Sequence, residues 1–266
     1  MKFLKVGGVI IGALILTTLG INAADVFKGN SGSMLGQIIA TEEGGCPIDM
    51  VTVVVGQTFS CVDSYEASTG ELCPAGSPSG SDQTQDNLNQ QNCIAVSKAG
   101  QRPWTYITRE QAQVVCLRAG KRLPTAAEWY TFALGTPDTR VCNTQGGGVA
   151  NAGADSDCRS AVGAYDTIGN VWEWTSDDVI EGVYNGRVLP DGGYVTQVAS
   201  DGVATVTGDS ATEQFAEDYI WTGDVGAYGM LRGGFYGSGE DGGVYAVQTK
   251  TIPTAATVAI GFRCVL

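Results

Sequence analysis

Gly163-Ala-Tyr-Asp-Thr-Ile-Gly-Asn-Val-Trp-Glu-Trp174 is the stretch on which the reading of this chain turns. It has no helical periodicity. Glycine and aspartate punctuate it, and two tryptophans close it. The same character runs from Gly135 to the C-terminus. Residues 141–178 and 178–228 are broken by Gly and Asp, and residues 231–266 alternate short apolar runs with Gly, Pro and Thr. Upstream of the stretch, the helical signals are two capping boxes, Thr108-Arg-Glu-Gln111 and Thr125-Ala-Ala-Glu128. The first leads into Ala112, Val115, Cys116 and Ala119 at helical spacing, with Gly120 as the stop. The second opens a short helix carrying Trp129 and Phe132, ended by Gly135. Residues 69–101 are rich in Gly, Ser, Asn, Gln and Pro and are expected to be a long loop closed by Cys73 and Cys93. Residues 46–61 contain Met50-Val-Thr-Val-Val-Val55 and Thr58-Phe59, a strand or hairpin pattern.

Of the 266 residues, 43% are apolar, so a folded core is expected, and 38 are glycine, about twice the usual share, which favours loops over helices. The net charge of −13 disfavours nucleic acid and anionic lipid as partners. There is no histidine. That excludes Ser-His-Asp and Cys-His nucleophilic sites, two-His iron sites and His-ligated zinc.

Met1–Lys5 carries two lysines, residues 6–19 are an uncharged apolar run, and Ile21-Asn-Ala-Ala24 offers small residues for cleavage. Residues 1–24 therefore read as a secretory signal peptide or, uncleaved, a signal anchor. Residues 25–44 read as a flexible tether and 45–266 as the folded domain. Either fate of the signal puts the chain outside the cytoplasm, secreted or anchored at the surface, with membrane contact only through residues 1–24. Eight cysteines in an exported chain are expected to form disulfides. They allow 105 connectivities. Local pairing joins Cys46 to Cys61, Cys73 to Cys93 and Cys142 to Cys158, and leaves Cys116 with Cys264. With all eight paired, no thiolate remains.

Several segments in order resemble the formylglycine-generating-enzyme-like family, also called the sulfatase-modifying-factor family. They are Asp63-Ser-Tyr-Glu-Ala-Ser68, Gly120-Lys-Arg-Leu-Pro-Thr-Ala-Ala-Glu-Trp129, the opening stretch 163–174, Leu231-Arg-Gly-Gly-Phe-Tyr236 and Ile260-Gly-Phe-Arg-Cys264. The resemblance implies an α+β, C-type-lectin-like fold that is loop-rich, with little regular structure, and disulfide-stapled. It also implies the Cys116–Cys264 bridge. The catalytic members of the family hold copper on two cysteines shortly after the "GGS" segment. Residues 233–246 contain no cysteine here, and Ser238 stands near the place of the first. A hydroxyl does not replace a thiolate for copper. The family's iron branch needs histidine ligands. Neither redox activity is expected, nor copper, haem or nucleotide. The resemblance does imply a structural Ca²⁺, held by the side chains of Asp166 and Glu173 and the carbonyls of Gly169 and Val171. Such an all-oxygen set suits a hard cation. Trp129, Trp172 and Trp174 are expected in the core rather than as a sugar platform.

Residues 231–264 also resemble the C-terminal region of retroelement-diversified lectin-fold proteins, which vary exposed residues on a fixed scaffold. The contact residues implied are Phe235, Tyr236, Ser238, Glu240, Asp241, Gln248, Lys250, Thr251, Thr254 and Thr257. Tyr and Ser suit adaptable recognition. The expected function is an exported protein that binds or displays a ligand, its partner a protein or glycan outside the cell. The alternatives are a family enzyme with altered chemistry, with Glu240 and Asp241 as its acids, and a surface or filament subunit held by its N-terminal segment.

Overall fold

The computed structural model describes residues 45–53, 58–138, 141–223 and 225–266. The expected signal segment (1–24) and tether (25–44) lie outside these residues. Gly45–Pro47 group with the preceding segment, and Ile48–Leu266 form a compact unit of their own.

Within that unit β1 (Met50–Thr52), in the segment expected to be a strand or hairpin, pairs antiparallel with β2 (Cys61–Asp63). Strand β3 (Ala67–Thr69) pairs with β4 (Ala95–Ser97). Between them lies a difference from the sequence reading. Ser81–Asn89, expected to be loop, is a helix, α1. Its sequence has no apolar stripe, and side chains anchor it from outside. Asn87 exchanges hydrogen bonds with the Ala75 backbone at 2.8 and 2.9 Å, and Thr84 accepts the Trp104 indole N–H at 3.1 Å. The Cys73–Cys93 disulfide closes the segment around it.

Helices α2 (Arg109–Arg118) and α3 (Ala126–Ala133) both begin with complete capping boxes, as the sequence indicates. At α3 the N3 glutamate does more than cap. Glu128 takes a two-pronged hydrogen bond from Arg122 at 2.7 Å on each oxygen, the Thr125 N–H at 2.8 Å, and the Thr58 hydroxyl. Burial alone would raise its carboxyl, but these donors outweigh burial and hold it down at about 2, from 4.5. A depressed acid stabilises the fold above its unfolded value and loses that contribution as pH falls through the folded one. Glu128→Gln is therefore expected to flatten the loss of stability between about pH 4.5 and pH 2. Urea unfolding at a series of pH values checks this. An unchanged acid slope would remove the assignment.

The main sheet has nine strands. These are β5 (Trp172–Ile180), β6 (Val183–Tyr184), β7 (Arg187–Val188), β8 (Gly193–Val198), β9 (Ala204–Gly208), β10 (Tyr219–Thr222), β11 (Ala227–Arg232), β12 (Val247–Thr251) and β13 (Ile260–Gly261). Their order is β7-β6-β5-β11-β12-β10-β8-β9, with β13 alongside β5. Pairing is antiparallel except for β10 with β12 and β13 with β5, which are parallel. Period-two alternation sends Trp174 and Leu231 into one core cluster, with Trp104, Ile107, Val115 and Phe262. It sends Val179, Met230, Val247 and Ile220 into a second, with Val195 and Phe215. Trp129 and Phe132 of α3 fill a third with Val62 and Val265. Trp129 and Trp174 are thus core residues, fully buried.

Disulfides link Cys73–Cys93, Cys116–Cys264 and Cys142–Cys158. Cys46 and Cys61 are also disulfide-bonded, and no described cysteine is free. Such a set is suited to an oxidising compartment. No helix among the described residues is long and apolar enough to cross a membrane.

Candidate ligand-binding face

The stretch that opened the sequence reading forms the turn into β5. Asp166, Gly169 and Asn170 all take positive φ there, at 53°, 76° and 53°. A Cβ on Gly169 would lie 2.5 Å from the Asn143 carbonyl oxygen, so only glycine lets the two segments meet. Asn170 then donates its backbone N–H to Asn143 O at 2.8 Å and its side-chain amide to Glu66 at 2.5 Å. Glu66 also accepts the Val171 N–H at 3.2 Å.

The calcium set expected at this turn is arranged otherwise. Both Glu173 oxygens accept from Arg263 at 2.5–2.8 Å, and one also takes the Trp129 indole N–H at 2.7 Å. Asp166 accepts the Gly153 N–H at 2.5 Å. Burial pushes Asp166 up to about 6, and burial with the neighbouring charges of Asp166 and Glu173 pushes Glu66 well above the usual range. Among the described residues no group of three or more Asp, Glu, His or Cys has metal-holding geometry. In this arrangement Glu173 is thus paired with Arg263, and Asp166 with a backbone N–H. The guanidinium of Arg263 supplies the positive charge that the carboxylates need.

On the sheet face above the first core cluster, six aromatic rings touch in sequence. Tyr194 meets Tyr219 edge-on with centroids 5.3 Å apart, and Tyr219 meets Trp221 at 4.9 Å. Trp221 meets Trp172 edge-on at 5.5 Å, and Trp172 stacks on Phe235 at 6.4 Å and 25°. Phe235 meets Tyr236 at 5.0 Å. Strand register builds this ribbon. Tyr194 lies opposite Tyr219, Trp221 opposite Gln248, and Trp172 opposite Ile260. Tyr219 and Trp221 share a face because they are two residues apart, with Ile220 turned to the other core cluster. Trp172 is buried, and the other five rings are half-exposed. Trp221 and Phe235 pack against the core, so the ribbon is held from beneath. Rings fixed by a core present large contact area at low entropic cost.

Of the expected contact residues, Phe235 and Tyr236 lie in the ribbon, and Gln248 lies beside Trp221 in register. Lys250 is exposed two residues on, and Gln248 Oε1 accepts its backbone N–H at 2.6 Å. Thr251 follows the alternation of Val247 and Thr249, away from Gln248. Thr254 and Thr257 are exposed on the segment after β12, which is tied by Arg109 N–H to Pro253 O and Tyr106 N–H to Thr257 O. Glu240 is exposed and Asp241 half-buried in the 3₁₀ turn Gly239–Asp241. Burial and the Glu240 charge push Asp241 up. Ser238 is half-exposed. Its hydroxyl accepts the Phe235 N–H at 2.9 Å, so it shapes the turn that holds the ring. Tyr194, Tyr219 and Trp221 were not anticipated. The signal available was the alternation Tyr219-Ile-Trp221. Trp172 is buried in the first core cluster, as expected, and is the inner ring of the ribbon.

The described residues thus form a disulfide-stapled, loop-rich α+β domain. Residues 145–266 match the family described as "Sulfatase-modifying factor enzyme 1-like domain". The formylglycine-generating enzyme of Mus musculus is 32% identical over 100 residues, covering 28% of this chain and 27% of the mouse protein. The chain therefore spans about a quarter of that relative's length. Among solved structures, the Major Tropism Determinant P3c variant aligns over 82% of this chain and 55% of its own, at 17% identity and a TM-score of 0.42. Treponema denticola variable protein 1 aligns over 82% and 91%, at 14% identity and a TM-score of 0.44.

Proposed function

We propose that the protein is an exported ligand-binding or display protein whose contact surface is the aromatic ribbon from Tyr194 to Tyr236, extended by Gln248 and Lys250. The observation that carries this is the ribbon itself: five half-exposed rings in a contiguous row, two of which, Trp221 and Phe235, pack on the buried core. Family copper chemistry lacks its ligands, since every cysteine is in a disulfide and residues 233–246 offer none. Aromatic faces of this kind engage sugar rings and apolar protein side chains alike.

The test uses a glycan array and a phage-displayed peptide library as probes. Reversible binding without product is expected on one of them. Trp221→Ala and Tyr236→Ala are each expected to weaken it by about thirtyfold, the size of a central aromatic contact. Leu117→Ala, on the exposed side of α2, serves as the control and leaves it unchanged. Binding that survives both aromatic substitutions, or turnover of the bound probe, would overturn the reading.

A further inference from the structure

Two carboxyl groups meet inside the fold at Gly243. Asp218 lies just before β10 and is fully buried. Its Oδ2 accepts the Tyr245 N–H at 2.6 Å, and its Oδ1 has no hydrogen-bond partner. Asp138, half-buried in the segment after α3, brings its Oδ2 to the same place. A Cβ on Gly243 would lie 2.5 Å from Asp138 Oδ2 and closer still to Asp218 Oδ1. The two oxygens are thus neighbours across a space that only glycine leaves open. Asp218 Oδ1 lacks a donor, and a protonated Asp138 carries one.

Two carboxylates this close in a dry site resist ionising together unless a cation lies between them. The groups around the pair supply none. Glu213, Glu217 and Glu240 face Asp138 from the 3₁₀ turns beside it. Tyr130 and Tyr245, which hydrogen-bond to each other, are neutral phenols. Among the described residues the cation acting on Asp218 is the buried Arg232, whose Nη atoms donate to the Gly202 and Val244 carbonyls and which also answers to Asp201. Burial and the Glu217 charge push Asp138 up to about 7, and burial with the Asp138 charge pushes Asp218 well above the usual range.

We infer that Asp138 and Asp218 share one proton, which clasps the segment after α3 to residues 242–245, the link into β12, and that loss of this proton opens the clasp. With the proton in place, the hydroxyl of one carboxyl donates to the other, a charge-assisted bond that gives Asp218 Oδ1 its missing partner. Asp138 lines a surface cavity, so the proton has a way out to water. Once it leaves, two negative charges face each other at Gly243 and the segments carrying them are driven apart. The inference does not rest on the aromatic ribbon.

A carboxyl raised in the folded state stabilises the fold at low pH and loses that contribution as pH rises through the folded value. The window here runs from 3.8 to about 7. In urea unfolding of the full chain across this window, the pair is expected to raise the unfolding constant by up to about tenfold per pH unit, the limit for one proton. Glu66, Asp166 and Asp177 are also pushed up and act in the same direction, so the informative quantity is the difference between the parent and Asp138→Asn. The amide of that variant keeps a donor opposite Asp218 Oδ1 at every pH. Asp138→Asn is expected to gain on the parent by about tenfold or more in the unfolding constant between pH 4 and pH 8, while Asp209→Asn, exposed elsewhere, tracks the parent. Hydrogen-exchange protection of the Tyr245 amide is expected to fall in the parent as pH passes about 7 and to stay level in Asp138→Asn. If Asp138→Asn fails to fold, carbon NMR of the parent's carboxyl groups decides, with Asp138 and Asp218 expected to move together in one step near pH 7. Equal pH slopes in the parent and Asp138→Asn, both carboxyls ionised below pH 5, or Tyr245 protection unchanged through the step would each overturn the inference.

Discussion

Arg263→Ala is expected to lower stability by about 3–5 kcal/mol, the cost of breaking a buried ion pair by removing one partner. For a chain of this size that is a fall in melting temperature of the order of 10 °C. The side chain is fully buried. It reaches Glu173 through Nε and Nη2, the Tyr165 carbonyl at 2.7 Å through Nη2, and the Asp63 carbonyl at 3.2 Å through Nη1. Its removal leaves Glu173 buried with the Trp129 indole as a remaining donor, near Glu66 and Asp166. Arg263→Lys keeps the charge but not the planar fork, so it is expected to recover part of the loss. The double variant Arg263→Met, Glu173→Gln removes both charges and is expected to be more stable than Arg263→Ala. Calorimetric melts of the four proteins decide the matter. A single variant within 1 kcal/mol of the parent, or a double variant no better than the single, would show that the pair is not what neutralises this turn.

That pair also marks where the sequence stops being readable. Asp166 and Glu173 are visible in the motif, and two carboxylates in one turn ask for a cation. The sequence does not say which cation, because Arg263 lies 90 residues away and is brought in by β13 pairing parallel with β5. Local signals fared better. The Thr108 and Thr125 capping boxes work through residues three apart, so α2 and α3 are legible without tertiary context. Helix α1 was not, because Ser81–Asn89 offers no apolar periodicity and is held by Asn87, Thr84 and a disulfide around it. Strands β8 and β9 were hidden by the glycines and aspartates at their ends. The proposed contact face was half visible. Phe235 and Tyr236 follow a recognisable Leu-Arg-Gly-Gly. Tyr219 and Trp221 join them only because β10 runs parallel to β12, and parallel neighbours leave no local trace in sequence.

Replacing Cys116 and Cys264 together by Ala is expected to cost the most of any disulfide removal among the three whose partners are defined here. The bridge spans 148 residues, against 20 for Cys73–Cys93 and 16 for Cys142–Cys158. Closing the longer loop in the unfolded chain removes more entropy, about 5 kcal/mol against about 3 for the short ones. Native packing acts in the same direction. Both sulfurs of the long bridge lie in the first core cluster, fully buried, whereas Cys73 is only partly so. The bridge also ties α2 to the segment after β13, whose Ile260 lies opposite Trp172 in the ribbon. Its loss is therefore expected to loosen Trp172 as well as to lower the melting temperature, and tryptophan fluorescence should shift red before the main transition. Thermal melts of the three double-alanine variants rank the bridges. If the Cys73–Cys93 or Cys142–Cys158 variant melts as low as the Cys116–Cys264 one, loop length is not what sets their worth. If fluorescence changes only with global unfolding, the C-terminal tie does not support the aromatic ribbon.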